Sequence, residues 1–304
     1  MPSAGSSPST MQALHTMDFE GLAVAWHDEG AGAPALVFVH GALCDHHDWA
    51  AQIAAFRATH RVLAPDLPGH GASDLSPAGI GIAAYGRMLR AAATHHGLRD
   101  WVLVGHSMGC RAVLQAAFGD DGTPPPGLRG LALVDGAYLV PQMLGPLSPE
   151  RRTVLAAQAH ARAAALYAEE EPIERARRGF GQMFFDERHA AVRDAMVARA
   201  GRLPATTART LMPDFAQWDV AHMEPTLARL RLPMLALVCT AMSAAHQRVQ
   251  LDADARTPWI DALEQNVQAL TLERIPGAGH FPMIEEPATV NRLLRRWLAA
   301  LAPG

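Results

Sequence analysis

One serine occupies a setting that suits nucleophilic chemistry. Residues Gly105–Gly109 read Gly-His-Ser-Met-Gly, and they follow an apolar run, Trp101–Val104, with the length and bulk of a buried parallel strand. A strand that ends in Gly-x-Ser-x-Gly and leads into a helix is typical of a nucleophile elbow, a tight turn that lifts the serine hydroxyl above the sheet edge. The helix-like segment Cys110–Phe118 follows directly. The sequence therefore predicts an active site centred on Ser107.

A serine hydroxyl is a poor nucleophile until a base removes its proton, so a histidine must reach Ser107. The chain has 15 histidines. His280 is favoured because it follows the last apolar run in the Gly-rich segment Ile275–Phe281, which can carry the imidazole back over the sheet. It also stands last, as in the chain order serine, acid, histidine that accompanies the elbow. We expect His280 to be the base.

The turn after another apolar run, Ala35–Val39, can stabilise the charge that develops on an attacked carbonyl. Beyond His40-Gly41, the backbone amide of Ala42 can point at the oxyanion together with the amide of Met108. The side chains expected to line the substrate pocket lie in or beside the catalytic turns, and they are Leu43, His106, Tyr138 and Phe281.

The segment Asp45–Asp48 reads Asp-His-His-Asp and has the side chains of a metal site. It also follows the oxyanion turn and precedes Trp49, where the first residues of a helix are expected. We therefore expect a helix start here, and the sequence predicts neither a metal ion nor an organic cofactor.

Apolar runs alternate with helical patterns along the chain, which predicts an α/β fold with a mostly parallel sheet flanked by helices. A helical pattern such as Ile80–Ala93 lies between consecutive runs, and a final helix opens at Pro287 with one apolar face. Leu22–Asp28 is expected to add an antiparallel edge strand. The remaining runs are Ala35–Val39, Arg61–Ala64, Val102–Val104, Leu131–Val134, Pro233–Val238 and Ala269–Ile275.

The alternation stops between Tyr138 and Leu230, where the patterns are helical and rich in Ala and Arg. We interpret residues 139–230 as a helical cap that folds over the strand ends. Residues 17–138 and 231–304 then form the core domain. Residues 1–16 are rich in Ser, Pro, Ala and Gly, and we expect a disordered leader there.

Composition restricts the partners and the compartment. A chain of 304 residues that is 49% hydrophobic can bury a large core. The net charge of −4 gives no reason to expect nucleic acid or an anionic membrane as a partner, and no apolar run reaches the roughly 18 residues needed to span a bilayer. The 3 cysteines lack paired spacing, which fits reduced thiols in the cytoplasm. The expected partner is a small hydrophobic molecule, and the oligomeric state stays open.

Four motifs occur in the order and rough spacing of the α/β-hydrolase superfamily, in its capped form. They are His40-Gly41, Asp66–Ser73, Gly105–Gly109 and Gly277–His280. The resemblance extends from Leu22 to Leu301 and implies the superfamily's fold, with the cap inserted after the sixth strand. It does not name a substrate, because that fold supports many chemistries.

The resemblance allows more than one position for the acid of the catalytic triad. In most relatives it follows the strand that is here Pro233–Val238, but Cys239–His246 contains no carboxylate. The alternative place in the superfamily is after the preceding strand, where Asp135 stands. A buried carboxylate there would hold the histidine tautomer and stabilise its charged form. We assign Asp135, while Asp252 and a looser serine–histidine dyad remain alternatives.

The leading hypothesis is a serine hydrolase that cleaves an ester, thioester or lactone through an acyl-enzyme. Hydrolysis of a carbon–carbon bond would use the same catalytic residues.

The chain also resembles the cofactor-independent dioxygenases that open 3-hydroxy-4-quinolone rings. The resemblance rests on Asp45–His47, Thr257–Trp259, His280–Pro282 and the place of Asp135. That resemblance implies a His/Asp pair that deprotonates the substrate and a serine that positions it. A ligand receptor without turnover is a third possibility and would require an inert Ser107.

Overall fold

The computed structural model describes residues 14–119, 122–136, 147–169, 171–243 and 247–301. The core is an eight-stranded sheet. Its strands are β1 (His15–Phe19), β2 (Leu22–Glu29), β3 (Ala35–Val39), β4 (Val62–Pro65), β5 (Trp101–His106), β6 (Leu128–Val134), β7 (Met234–Val238) and β10 (Leu270–Arg274). The spatial order is β1-β2-β4-β3-β5-β6-β7-β10. β1 and β2 are antiparallel, and all pairs from β4 to β10 are parallel.

Helices cover both faces of this sheet, which explains why its central strands are mostly apolar. In β3, Leu36 and Phe38 pack into one hydrophobic cluster, and Val37 and Val39 pack into the other. Successive side chains of a strand point to opposite faces, so a strand covered on both sides is apolar at successive positions. The covering helices are α1 (Ala50–Phe56), α2 (Ile82–His95), α3 (Met108–Phe118), α8 (Pro258–Asn266), α9 (Pro282–Glu285) and α10 (Pro287–Ala300).

Four helices lie between β6 and β7, as the predicted insertion after the sixth strand requires. A buried ion pair connects this insertion to the core: Arg111 of α3 and Asp219 of the longest inserted helix are joined by two hydrogen bonds, of 2.7 and 2.8 Å. The prediction of an α/β fold with a helical insertion is thereby confirmed. The inserted helices are α4 (Pro149–Tyr167), α5 (Pro172–Phe180), α6 (Ala190–Ala200) and α7 (Ala205–Arg229).

Two details differ from the sequence predictions. β1 begins at His15, so it includes the last two residues of the predicted leader of residues 1–16, and residues 1–13 lie outside the described part. Met17 and Phe19 are buried in β1, while the residues between and before them are exposed. This alternation is too short to be recognised as a strand from the sequence alone.

The second difference is a small hairpin after β7, formed by β8 (Thr240–Met242) and β9 (Arg248–Gln250). Within the described ranges, no helix has both the length and the apolarity to cross a membrane.

Candidate active site

Ser107 occupies the turn between β5 and α3 in a strained backbone conformation. Its φ of 53° lies in the left-handed region, which side-chain-bearing residues rarely adopt. The turn depends on its flanking glycines: a Cβ on Gly105 would lie 2.5 Å from the carbonyl oxygen of Gly109, and a Cβ on Gly109 would lie 2.4 Å from that of Val39. The Ser107 amide donates to the carbonyl of Val134 at 3.1 Å. The elbow is therefore clamped between β3 and β6.

His280 reaches Ser107 from the loop after β10, with its Nε2 2.9 Å from the serine Oγ. Two neighbours hold this loop. Glu285 of α9 accepts hydrogen bonds from the amides of Gly279 and Phe281, at 3.0 and 3.1 Å. The His280 amide donates to the carbonyl of Met183 in the helical insertion, at 2.8 Å. Contacts with both the core and the insertion thus hold the loop that carries the imidazole.

Asp135 stands directly after β6, and its Oδ2 lies 2.6 Å from His280 Nδ1. Its Oδ1 accepts the amides of Cys239 and Thr240, both at 2.9 Å, and Oδ2 also accepts the Thr240 hydroxyl at 2.6 Å. Burial opposes ionisation of this carboxyl, but the hydrogen bond and charge of His280 and the nearby Arg248 lower the pKa of Asp135 below its ordinary value. Asp252, the alternative acid, lies on the exposed surface.

Arg248 is the charged neighbour that the sequence reasoning missed. The hairpin places its Nη1 3.0 Å from His280 Nδ1 and 3.6 Å from Asp135 Oδ2. Burial and the positive charge of Arg248 lower the pKa of His280 to about 4, although Asp135 acts in the opposite direction. No pattern in the sequence singles out Arg248, because its position depends on how the hairpin folds back.

The predicted oxyanion turn lies against the elbow: a Cβ on Gly41 would sit 3.2 Å from the Ser107 Cβ. Two buried histidines hold it. His70 Nε2 accepts the amide of Leu43 at 3.2 Å, and His40 Nε2 accepts the amide of Leu67 at 2.9 Å. In each ring the accepting nitrogen carries no proton, so both are neutral, and burial lowers the pKa of each.

The two amides proposed for the oxyanion have no protein acceptor among the residues that the structure describes. They belong to Ala42, between Gly41 and Leu43, and to Met108, at the first position of α3. The first N–H groups of a helix have no partner within that helix. Both donors therefore stay available to a ligand.

Of the predicted pocket residues, Phe281 and His106 are buried beside His280. Phe281 stacks on Phe184 of the helical insertion, with ring centroids 5.2 Å apart. His106 donates from Nε2 to the carbonyl of His280 at 2.7 Å, so it supports the His280 loop. Leu43 is almost fully buried beside the oxyanion turn. Tyr138 lies outside the described residues.

A cavity of about 940 Å³ adjoins the predicted oxyanion turn, with Leu43 in its wall and α6 of the helical insertion on its far side. Its other wall carries Asp45, His46 and His47, whose oxygen and nitrogen atoms that could bind a metal ion lie within 4.8 Å of one another. Asp45 caps a short 3₁₀ helix at His46–Trp49 by accepting the His47 amide, and it pairs with Arg199 of α6 at 2.9 Å. These contacts fit the predicted helix start, and Arg199 supplies the positive charge that pairs with the Asp45 carboxylate.

Known proteins resemble the chain in sequence and in fold. It matches the model of the Alpha/beta hydrolase family over residues 36–293. It is 40% identical over 105 residues to 2-succinyl-6-hydroxy-2,4-cyclohexadiene-1-carboxylate synthase of Salmonella agona, a match that covers 34% of this chain and 39% of that protein. The chain thus spans about two fifths of the length of the curated relatives it matches.

Two solved structures illustrate the likeness in fold. A thermophilic esterase from Thermogutta terrifontis has a TM-score of 0.72 at 24% identity, over 97% of this chain and 100% of its own. The enol-lactonase from Burkholderia xenovorans LB400 has a TM-score of 0.69 at 17% identity, over 94% of this chain and 100% of its own. These identities concern the fold alone. The family match, in contrast, runs from β3 to α10 and includes the elbow and the His280 loop, so this chain belongs to the α/β-hydrolase family and is an enzyme of that fold.

Proposed function

We propose that this enzyme is a serine hydrolase that cleaves carboxylic esters, thioesters or lactones through a Ser107–His280–Asp135 triad. One observation carries the proposal: the serine hydroxyl, the imidazole and the carboxylate form a continuous chain of contacts of 2.9 and 2.6 Å. That arrangement is the geometry in which a base activates a serine and a third group orients the base.

The reaction follows from these contacts. His280 Nε2 takes the Ser107 proton as Oγ attacks the substrate carbonyl, and the amides of Ala42 and Met108 donate to the resulting oxyanion. Asp135 holds the Nδ1 proton and stabilises the imidazolium. His280 then returns its proton to the leaving alcohol, thiol or ring oxygen, which leaves an acyl-enzyme. Water, deprotonated by His280, attacks the acyl carbonyl, and its proton passes back to Ser107 as the acid departs.

A hydrophobic acyl or alcohol group is the substrate feature that fits best. The cavity beside the oxyanion turn carries the apolar side chains of Leu43, Met196 and Ile284 in its wall. The names of two relatives in fold, an esterase and an enol-lactonase, agree with ester chemistry. We therefore place small hydrophobic esters and lactones first among substrates to assay.

The test is intact mass after exposure to a fluorophosphonate, with Ser107→Ala as the matched control. An activated serine forms a phosphonyl ester and releases fluoride, so we expect one adduct on the wild-type protein and none on the variant. The wild type should then hydrolyse members of an ester and lactone panel, and Ser107→Ala and His280→Ala should not. Failure of folded wild-type protein to react would overturn the proposal.

The acid's place after β6 also fits the second candidate, a cofactor-independent dioxygenase of 3-hydroxy-4-quinolones. In that reaction the His280–Asp135 pair would remove the substrate hydroxyl proton, and Ser107 would position the ring. Oxygen uptake with a quinolone substrate that persists in Ser107→Ala would favour this candidate over the hydrolase.

A further inference from the structure

Arg248 lies behind the triad, on the side of His280 that faces away from Ser107. In the β8–β9 hairpin, residue 248 pairs with Met242 and residue 250 pairs with Thr240. The Arg248 side chain is only 10% exposed, and its Nη1 donates to the Thr240 hydroxyl oxygen at 2.7 Å. That hydroxyl in turn donates to Asp135. The hairpin thus inserts a guanidinium into the hydrogen-bond network of the triad acid.

The proton on His280 Nδ1 determines what this guanidinium can do. Nδ1 lies 2.6 Å from Asp135 Oδ2, so its proton points at the carboxylate, as a base toward Ser107 requires. Nη1 of Arg248 lies 3.0 Å from the same nitrogen. Nδ1 has no free lone pair in this tautomer, so it cannot accept a hydrogen bond from Arg248. The positively charged guanidinium therefore lies next to the partially positive N–H group of the ring and repels it. A second proton on Nε2 would add to that repulsion.

Other charged groups near His280 are neutralised or bound elsewhere. Arg111 of α3 is paired with Asp219 of the cap. Glu285 of α9 accepts hydrogen bonds from the amides beside the imidazole. His106 of β5 donates to a backbone carbonyl, and burial lowers its pKa far below the usual range. Around the imidazole, within the described residues, Asp135 and Arg248 therefore dominate the balance of charge.

In a triad without such an arginine, the carboxylate is an uncompensated negative charge beside the histidine and favours its protonation. Here the guanidinium offsets that charge while its hydrogen bond to Thr240 keeps the carboxylate oriented. We propose that Arg248 is a positioning residue that keeps the imidazole of His280 neutral, with Nε2 accepting from Ser107, in mildly acidic solution. The inference rests on the proposed hydrolase function, and its consequence is a base that stays competent at lower pH than an ordinary histidine.

The variant that tests the charge is Arg248→Gln, which keeps a donor for Thr240 and removes the guanidinium. Arg248→Lys keeps the charge, and Arg256→Gln removes an exposed arginine from the start of α8 as a matched control. Fluorophosphonate labelling rates are measured from pH 4.5 to 8 for each protein.

We expect the acid limb of the labelling profile to move upward by on the order of one pH unit in Arg248→Gln. Arg248→Lys and the Arg256 control should follow the wild type. An acid limb that does not move in Arg248→Gln would overturn the proposal, as would an equal shift in the Arg256 control. If the Gln variant does not fold, Arg248→Met fills the buried space with an apolar chain and is judged by the same criterion.

A second readout needs no reaction at Ser107. The ¹⁵N shifts of His280 are followed against pH in histidine-labelled protein that carries Ser107→Ala, with His280→Asn to assign the signals. Protonation of His280 at higher pH after Arg248→Gln supports the inference, whether or not the wild type reacts with the fluorophosphonate. Lack of labelling of the wild type would overturn only the hydrolase function. An unchanged His280 titration overturns the inference and leaves the hydrolase proposal standing.

Discussion

At the scale of single residues, the site depends on strained or buried groups that surrounding contacts hold in place. Ser107 and Asp135 both have positive φ, of 53° and 44°, and each directly follows a strand of the parallel sheet. Such conformations cost on the order of 1–3 kcal/mol each, so they persist only where neighbours impose them. Asp135 meets that condition with its hydrogen bonds to two amides, a hydroxyl and His280.

Asp135→Asn tests the acid at this scale. The amide can keep much of the packing, but it cannot stabilise an imidazolium, and its NH₂ group can turn toward Nδ1 and select the wrong tautomer. We expect hydrolysis to fall by on the order of 10³- to 10⁴-fold while the fold persists. Rates on an ester substrate and circular dichroism check this. Asp252→Asn, an exposed position, is the control and should retain wild-type activity; the opposite pattern would make Asp252 the acid.

At the scale of elements, the close packing of α3 against β3 determines which residues the elbow can contain. The first turn of α3 approaches the end of β3 so closely that the space beside Gly109 cannot hold a methyl group. A Cβ on Gly109 would meet the backbone carbonyl oxygens of Val39 and His40, which cannot move aside as a flexible side chain can. The glycine is therefore required by the geometry of two elements and not by its own conformation.

Gly109→Ala should separate these two elements. We expect a loss of stability of about 1–3 kcal/mol from overpacking, together with loss of activity as Ser107 shifts. Urea unfolding and fluorophosphonate labelling measure the two effects. Gly179→Ala in α5 is the matched control, because its Cβ would meet nothing within 4 Å, and alanine there should be neutral or stabilising. Wild-type stability and labelling in Gly109→Ala would contradict the packing argument.

At the scale of the whole molecule, several histidines are buried in the neutral state. Burial is the main cause that lowers the pKa of His70 to about 3, and those of His96 and His280 to about 4. His40 and His106 shift in the same direction. The unfolded chain binds these protons near pH 6.5, whereas the folded chain excludes them until much lower pH, so protonation favours unfolding.

The stability of the protein should therefore fall as the pH decreases from about 6.5 toward 4, because the unfolded state takes up the protons that the folded state excludes. The contribution is complete above pH 6.5. Thermal unfolding midpoints between pH 7.5 and 4.5, at constant ionic strength, measure it. A midpoint that stays constant from pH 7 to pH 5 would show that these histidines titrate alike in the folded and unfolded states.

Local sterics and chain order account for what could be predicted from the sequence. The elbow around Ser107, the strands of the core and the position of His280 after the last strand each follow from short segments, in which residue size, periodicity and neighbouring glycines act over a few positions. The helical insertion was recognisable because strand patterns stop for about 90 residues between Tyr138 and Leu230. Its long helix α7 and its ion pair with α3 were not foreseen.

The contacts that complete the site join distant parts of the chain. Asp135 and His280 are 145 residues apart, and Arg248 meets His280 across 32 residues and a hairpin that the sequence pattern does not announce. Several carboxylates were compatible with the motifs, and the folded chain buries Asp135 against the imidazole while Asp252 stays exposed. Motif and periodicity are local properties, so the sequence determined which groups can react. The pairing of charges across the sheet edge depends on the packing of whole elements, and it emerged only from the fold.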